Sequence, residues 1–176
     1  MRRLLLLTLG ILVSFSAFAQ YNPTPALKID WNGINVPDHT IIGISFEIEN
    51  ADLGGYSYEY RCVIDPELKT DFEDTVERCV EEANDVSKDY GYPVYFTNGI
   101  EEKEYYIIFN VKSVTPNGHV YADAKFITPA GIATFTNLSG NGGAYGTFVN
   151  LMGDGFQSLG KDIAKRIIKA KRKGKI

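Results

Sequence analysis

Two stretches of the chain alternate apolar and polar residues with the two-residue period of half-buried β-strands. In "IIGISFEIEN" every second residue from Ile42 to Ile48 is apolar, and in "YSYEYRCVI" every second residue from Tyr56 to Cys62 is a tyrosine or the cysteine. Successive side chains of a strand point to opposite faces, so each pattern predicts a strand with one buried face.

A helical period follows between residues 72 and 90. Apolar residues recur there at spacings of three and four, and acidic residues occupy the opposite side. Thr70 and Glu73 have the spacing of a capping box, in which each side chain bonds the other residue's backbone N–H. Gly91 is suited to end the helix, and the proline two residues later prevents its return.

The second half of the chain predicts three consecutive antiparallel strands between residues 104 and 139. Asn117-Gly118 is a strong hairpin signal, and Pro129-Ala130-Gly131 marks the second turn. A last helix follows, because apolar residues recur at spacings of 4, 3, 4 and 4 from Met152 to Ile167. The order of elements predicts an α+β fold, a mostly antiparallel sheet with two main helices packed on one face.

The amino terminus has the form of a secretory signal peptide. Two arginines precede an apolar run that begins at Leu4, and Ala17 and Ala19 form an A-x-A cleavage site before Gln20. We therefore expect an exported protein, periplasmic or secreted. It would not be lipid-anchored at its new terminus, because Gln20 stands where a cysteine would be needed. No later stretch is apolar for the length of a membrane span.

The same features divide the chain. We expect a signal peptide at 1–19, an irregular arm rich in Pro, Asn and Asp at 20–39, a single α+β domain at 40–170 and a basic tail at 171–176.

Charge is distributed unevenly. The formal net charge is −4 at pH 7, yet eight of the eighteen basic residues lie from Lys161 onward, against the single acid Asp162. These cations suit a helix carboxyl end, or they form a basic handle for an anionic envelope surface or an acidic partner. The candidate residues of this handle are Lys165, Arg166, Lys169, Lys171, Arg172 and Lys173. An exported, acidic body makes nucleic acid a poor candidate partner.

Cys62 and Cys79 are the only cysteines. In an oxidising compartment two thiols of one small domain often pair, and a helix that folds back over its preceding strand would bring these two to similar heights. The alternative is two buried thiols that never meet.

The stretch "GFQSLGK", from Gly155 to Lys161, has the spacing of a nucleotide-binding phosphate loop, with Asp162 where a hydroxyl residue is required. The apolar stripe of the last helix runs through it, so we interpret it as helix interior. The small residues Gly153, Gly160 and Ala164 would then serve close packing.

Other catalytic or metal-binding patterns are weak. The histidines are His39 and His119 alone, without the spacing of a zinc site or a supported catalytic triad. We predict no catalytic residues, no metal site and no cofactor. Acidic residues are plentiful, so a carboxylate pair acting on carbohydrate stays open. Tyrosines could form an aromatic platform for sugar or peptide; the candidates are Tyr56, Tyr58, Tyr60, Tyr105, Tyr106 and Tyr121.

The meander "YYIIFNVKSVTPNGHVYADAKFIT" and the closing "GDGFQSLGKDIAKRI" resemble small exported bacterial proteins of uncharacterised families. From Ile41 to Ile168 the order of elements is also similar to the amino-terminal domain of the translocation protein TolB and to lipoproteins that activate penicillin-binding proteins. The resemblance implies an envelope-located, protein-binding module.

Together these patterns lead to one main hypothesis and two alternatives. The main hypothesis is an exported, non-enzymatic protein-interaction or assembly module that binds an envelope protein or itself. The first alternative is a secreted carbohydrate-binding or carbohydrate-processing domain that uses surface tyrosines and carboxylates. The second is membrane association through the glycine-rich residues 140–160.

Overall fold

A computed structural model describes residues 29–31 and 33–176. The predicted signal peptide and the first part of the arm lie outside these residues. Within them the chain forms six strands and four helices, which confirms the α+β class. The elements are β1 (Ile41–Glu47), β2 (Asp52–Leu53), α1 (Tyr58–Ile64), α2 (Glu67–Thr70), α3 (Phe72–Asp89), β3 (Tyr95–Asn98), β4 (Tyr105–Val114), β5 (Val120–Thr128), β6 (Gly131–Gly140) and α4 (Phe148–Arg172).

The strands form one mixed sheet in the order β3-β1-β4-β5-β6, with β2 paired to the end of β4. β4, β5 and β6 are consecutive and antiparallel, as predicted. However, β1 is parallel to both β3 and β4, so the expectation of a mostly antiparallel sheet is wrong. The helices α1–α3 carry the chain from the end of β1 back to the start of β3, and a crossover of that kind joins parallel strands.

A short loop crosses over β1 at Gly43. β3 and β4 lie on opposite sides of β1 and run in the same direction, although only residues 99–104 connect them. A β-carbon on Gly43 would collide with the backbone carbonyl oxygen of Gly99 and would lie 3.1 Å from Cα of Ile100. The crossing therefore requires a residue without a side chain at this point of β1.

The second predicted strand is wrong: its residues form the helix α1. The hydroxyl of Ser57 caps α1 by accepting a hydrogen bond from the Tyr60 N–H at 3.4 Å. Cys62 is the buried residue of α1, whereas Tyr60 is exposed. The alternating tyrosines therefore do not line a buried sheet face. Between β1 and α1 only the two residues of β2 join the sheet.

α3 is confirmed as a helix, but its amino terminus differs from the prediction. The N-cap is Asp71, which makes no side-chain capping bond. The Thr70 hydroxyl donates to the Asp71 carboxylate at 2.6 Å, whereas a capping hydroxyl accepts from a backbone N–H of the helix. The expected capping box is therefore absent. Gly91 follows the helix with φ of 63°, the left-handed conformation that commonly ends helices.

α3 and α4 run side by side in the same direction. Glu82 pairs with Lys161 at 2.8 Å, and Arg172 donates to the backbone carbonyl of Tyr90 at 3.0 Å. The ring of Phe156 in α4 stacks on Phe46 of β1 with centroids 3.9 Å apart. Buried aromatic rings contribute large apolar areas, so this stack is a main connection between α4 and the sheet. Neither helix, nor any other in the described part of the chain, has the length and apolar composition that crossing a membrane requires.

The stretch with phosphate-loop spacing lies inside α4. Its backbone N–H groups belong to the helix, so residues 155–161 do not form an open anion-binding turn. A β-carbon on Gly160 would collide with the backbone of Cys79 in α3, and one on Gly155 would collide with the carbonyl of Gly118 in the β4–β5 hairpin. Of the residues predicted to allow close packing, Gly160 does so, but against a helix and not the sheet, and Gly153 faces the Arg78 side chain of α3.

Candidate functional site

Four exposed apolar side chains lie on and beside α1, and we call them the α1 surface. They are Tyr56, Tyr60, Val63 and Ile64, with exposed fractions of 42%, 55%, 75% and 46%. Tyr60, Val63 and Ile64 lie within about a third of the circumference of α1, and Tyr56 precedes the N-cap Ser57. The rings of Tyr56 and Tyr60 lie 5.2 Å apart. Large side chains that are exposed together in this way are typical of interaction sites.

Arg61 holds α1 against the start of α4. Its guanidinium carbon lies 3.7 Å from the centre of the Phe148 ring and 5.7 Å from that of Tyr56. Its Nε lies 2.8 Å from Oδ2 of Asp65, an ion pair across one helical turn. A cation over an aromatic face is attracted by the ring quadrupole, so Arg61 connects the α1 surface to α4.

The opposite side of α1 is anchored in the core. Cys62 is buried, and Tyr58 is half-buried and hydrogen-bonded to it. Burial raises the pKa of Tyr58, and the bond to Cys62 and the charge of Glu49 act in the same direction. In the following α2, Leu68 is fully buried. The exposed apolar residues therefore belong to an element that already has a packed side.

The surroundings of the α1 surface are acidic. Glu59 in α1 is exposed, and Glu49 is close enough to act on Tyr58. Lys69 is an exposed cation of α2, whereas Arg61 is already bound within the chain. An apolar surface with an acidic rim is complementary to an apolar segment that carries basic residues.

The structure does not contain the expected disulfide. Cys62 and Cys79 are both buried and unbonded. The geometric argument for the disulfide placed Cys62 on a strand under the helix. Cys62 instead belongs to α1, where its thiol is hydrogen-bonded to the Tyr58 side chain. Cys79 instead faces α4 at Gly160, and burial raises the pKa of its thiol far above the usual range.

The basic residues at the carboxyl end are only partly available as a handle. Lys171 pairs with Asp38 at 2.9 Å, and Arg172 lies over the ring of Tyr90 with its guanidinium carbon 4.7 Å from the centre. Arg166 is bound to Asp162 at 2.8 Å. The exposed lysines that carry the remaining charge of this group are Lys165, Lys169 and Lys173.

The segment predicted as a basic tail, 171–176, begins within α4, because the helix continues to Arg172, and Lys171 is bound to the arm. Nζ of Lys171 also donates to the carbonyl of Val36 at 2.5 Å. The arm has no helix or strand in its described part, yet Trp31, Ile34 and Val36 are buried. The arm and the end of α4 therefore support each other.

The described residues show no catalytic set built on histidine. The exposed His39 stacks near Tyr95, whereas Nδ1 of His119 accepts a hydrogen bond from the Gly142 N–H at 3.3 Å. No group of three or more His, Cys, Asp or Glu within residues 29–31 and 33–176 could hold a metal ion.

The sheet face opposite the core carries a concavity of about 310 Å³ that Glu47, Ile108, Asn110, Asp123 and Lys125 help to line. Its carboxylates are engaged in the fold. Glu47 accepts from the Asn110 amide at 3.1 Å, and Asp123 pairs with a lysine of β4 at 2.6 Å and accepts a backbone N–H of β6 at 2.8 Å.

The six tyrosines proposed as one platform are divided among three places. Tyr56 and Tyr60 belong to the α1 surface, and Tyr58 and Tyr105 pack against the core. The two others are Tyr106 and Tyr121, half-buried on β4 and β5.

A concavity of about 520 Å³ runs along the edge strand β3 beside α3. Asn84 of α3 lines it and uses its side-chain amide to bond both backbone groups of Phe96. The pairing groups of β3 at Phe96 are thus occupied by the chain itself.

The glycine-rich segment is largely packed. Residues 148–160 belong to α4, and β-carbons on Gly140 and Gly142 would collide with other backbone atoms. Membrane association through this segment would need it to be exposed, and these residues do not meet that condition.

Sequence reasoning missed Val63 and Ile64, because the alternation of tyrosines had been interpreted as a strand. The signal that could have identified the site was the sequence Ser57-x-Glu59, a helix N-cap followed by an acid in the first turn.

Comparison with known proteins finds no family model, no curated protein and no solved structure that matches the chain. The resemblance to the TolB amino-terminal domain and to activators of penicillin-binding proteins stays a prediction.

Proposed function

We propose that the protein is an exported, non-enzymatic protein-interaction module of the cell envelope, and that the α1 surface is its binding site. One observation carries this proposal: Tyr60 and Val63 are 55% and 75% exposed on a helix that Arg61 and Cys62 hold against the domain. A preformed apolar surface needs little ordering when a partner binds, so more of the contact energy becomes affinity.

The chemistry of the partner follows from the rim. Glu59 lies in α1 next to the apolar side chains and Glu49 is close to Tyr58, so the complementary partner is an apolar protein segment flanked by lysine or arginine. A second copy that used the same surface would bring these acids together, and like charges oppose each other. The α1 surface therefore favours a different protein as its partner.

Site-specific photo-crosslinking in the cell tests this function. A benzoylphenylalanine in place of Tyr60 is expected to give a discrete cross-linked protein, and the cross-linked peptide should carry apolar and basic residues. Tyr145, which is 92% exposed in the loop before α4, is the matched control position. With the photo-reactive residue retained at position 60, Val63→Ser should reduce the yield about tenfold, as expected for a central contact. The same products from positions 60 and 145, or none from position 60, would overturn the proposal.

The concavity on the open sheet face supports a second candidate, carbohydrate binding. Asn110 and Asp123 already bond within the fold but keep acceptor lone pairs, and with the exposed Lys125 they surround Ile108, a mixture that can bond hydroxyls around an apolar floor. Titration with a panel of envelope oligosaccharides, followed by backbone amide NMR, tests this candidate. Shifts confined to β4 and β5 would support it, whereas unchanged spectra at millimolar sugar would exclude it.

A further inference from the structure

A small concavity of about 140 Å³ lies between the arm and the last turns of α4, and we call it the arm pocket. Its apolar lining consists of Ile29, Trp31 and Ala170. Its other lining residues are all cations: Arg166, Lys169, Lys173 and Lys175. No acid among the described residues lines it. The arm pocket therefore concentrates four positive charges in a chain whose net charge is −4.

The three lysines of the arm pocket are exposed, and none of them forms an ion pair within the described part of the chain. Lys169 and Lys173 are one helical turn apart, so they lie on the same side of α4, about 6 Å apart along its axis. Arg166 lies one turn earlier and bonds Asp162 through its Nε at 2.8 Å. A guanidinium has five N–H donors, so this bond leaves others of Arg166 available.

The chain end returns to the arm pocket through a turn that backbone bonds fix. Gly174 follows α4 with φ of 62°, and its N–H donates to the carbonyl of Lys171 at 2.9 Å. The N–H of Lys175 donates to the carbonyl of Ala170 at 3.0 Å, which completes a Schellman motif. Ile176 then packs against the core. The fold therefore places Lys175 at the arm pocket, and two helix-end carbonyls that would repel an anion are already bonded.

The floor of the arm pocket is held by contacts with β6 and within the arm. The ring of Trp31 lies edge-on to that of Phe135 in β6, with centroids 5.5 Å apart. The carbonyl of Trp31 accepts a hydrogen bond from the Ile34 N–H at 3.0 Å, which closes a turn of the arm. A cavity whose walls are fixed in this way needs little ordering when a ligand binds.

Stabilisation of a helix end does not account for the whole set of cations. Cations interact favourably with the helix dipole, but this effect falls off within the last turn. Arg166 lies more than one turn before the end of α4 at Arg172, and Lys175 lies beyond that end. The acids nearest to these residues in the sequence are Asp30 and Asp162, and neither lines the arm pocket. An excess of positive charge therefore faces the cavity.

We propose that the arm pocket binds a phosphate group, with the ammonium groups of Lys169, Lys173 and Lys175 around its oxygens. A phosphate group carries several strong acceptor oxygens in a compact volume, so three lysines can donate to it together. A carboxylate has two oxygens and a single charge, which fewer cations satisfy. The apolar floor at Ile29 and Trp31 contacts the organic group that carries the phosphate. This site is separate from the α1 surface and does not depend on the function proposed for it.

The phosphate group has two possible sources, a soluble phosphate ester and the headgroup of a phospholipid. Both present the same chemistry to the three lysines, so the experiment has one arm for each source. Exposed cations attract an anion weakly, and we therefore expect a dissociation constant on the order of 1–10 mM for inorganic phosphate at low salt. Added salt should weaken the binding, because exposed charges are screened.

The first arm of the experiment is a titration of the purified protein with inorganic phosphate, followed by amide NMR, with sodium chloride at equal ionic strength as the reference. Saturable shifts are expected at the Trp31 indole N–H and the amides of residues 166–176. The second arm is cosedimentation with phosphatidylcholine vesicles that contain phosphatidylglycerol, with pure phosphatidylcholine vesicles as the reference.

Three variants relate the response to the arm pocket. Lys173→Gln should weaken binding about fivefold, because it removes one charge that faces the phosphate. Lys88→Gln is the matched control, since Lys88 is an exposed lysine in the last turn of α3 and does not line the arm pocket. Lys173→Arg keeps the charge and should retain most of the binding. Circular dichroism of each variant checks that the fold is unchanged.

The proposal is supported if Lys173→Gln loses the response while Lys88→Gln and Lys173→Arg keep it. Within that result, a response to phosphate alone identifies a soluble ester, and a response to vesicles, with or without one to phosphate, identifies a lipid headgroup. No response to either vesicles or inorganic phosphate up to about 50 mM would overturn the proposal. A response that sodium chloride or pure phosphatidylcholine reproduces, or an equal loss in Lys173→Gln and Lys88→Gln, would also overturn it.

Discussion

The side-chain amide of Asn84 hydrogen-bonds both backbone groups of Phe96: it accepts from the N–H at 2.8 Å and donates to the carbonyl at 2.9 Å. Phe96 lies in β3, the edge strand beside β1, and its side chain is 4% exposed. The Asn84 side chain thus provides the donor and the acceptor that the backbone of a neighbouring strand would provide. This arrangement satisfies two edge groups that could otherwise pair with another chain.

Asn84→Ala should therefore lower the free energy of unfolding by about 1–3 kcal/mol, because two backbone groups lose their partners. Urea unfolding followed by circular dichroism measures the change. Asp85→Ala, at the next, exposed position of the same helix, is the control and should stay within about 0.5 kcal/mol of wild type. Equal effects of the two substitutions would contradict the role given to Asn84.

Gly43→Ala should destabilise the fold by about 1–3 kcal/mol, because the new methyl group would push the crossing loop off β1 at Gly99. Gly131→Ala is a matched control in β6, where the nearest atom to an added β-carbon is Cδ1 of Ile34 at 3.6 Å. Thermal unfolding of both variants makes the comparison. A Gly43→Ala protein as stable as the Gly131→Ala protein would show that the loop does not press on β1.

Both thiols should be free and unreactive in the native protein. Cys79 is fully buried, and burial raises the pKa of its thiol, so the reactive thiolate is scarce; Cys62 is also buried. Ellman's reagent should react with two thiols only after denaturation without reductant. A native mass lower by two hydrogens, unchanged by alkylation under denaturing conditions, would instead show a disulfide.

Glu82 should contribute to stability at neutral pH and lose that contribution in acid. The hydrogen bond from Lys161 lowers the pKa of Glu82 below its ordinary range. A carboxyl whose pKa is lower in the folded state stabilises the fold above its unfolded pKa, about 4.3, and this stabilisation is lost as the pH falls through the folded pKa.

Glu82→Gln should therefore lower stability at pH 7 by up to about 1 kcal/mol, and the difference from wild type should shrink below about pH 4. Chemical denaturation at several pH values provides the measurement. Glu81→Gln, an exposed neighbour with no ion pair among the described residues, should show a smaller difference at pH 7. A loss of stability in Glu82→Gln that grows toward low pH would contradict a lowered pKa of Glu82 in the folded state.

The sequence determined the elements whose pattern is local and regular. Periods of two or of nearly four residues predicted four features that the structure contains. They are the strand from Ile41, the helix α3, the meander β4–β6 and the position of Gly155–Lys161 inside α4. These periods are strong because one side of each element meets the core and the other meets solvent.

Tertiary structure decided what depends on neighbours distant in the sequence. Nothing local indicates that a loop of six residues crosses β1 at Gly43, so the parallel position of β1 between β3 and β4 could not be read from the chain. The alternating tyrosines before Cys62 fit a strand as well as a helix. The segment is a helix in the structure, where Arg61 contacts Phe148, which is distant in the sequence, and Tyr56. The α1 surface arises from that choice, because only as a helix does this segment present Tyr60, Val63 and Ile64 together to solvent.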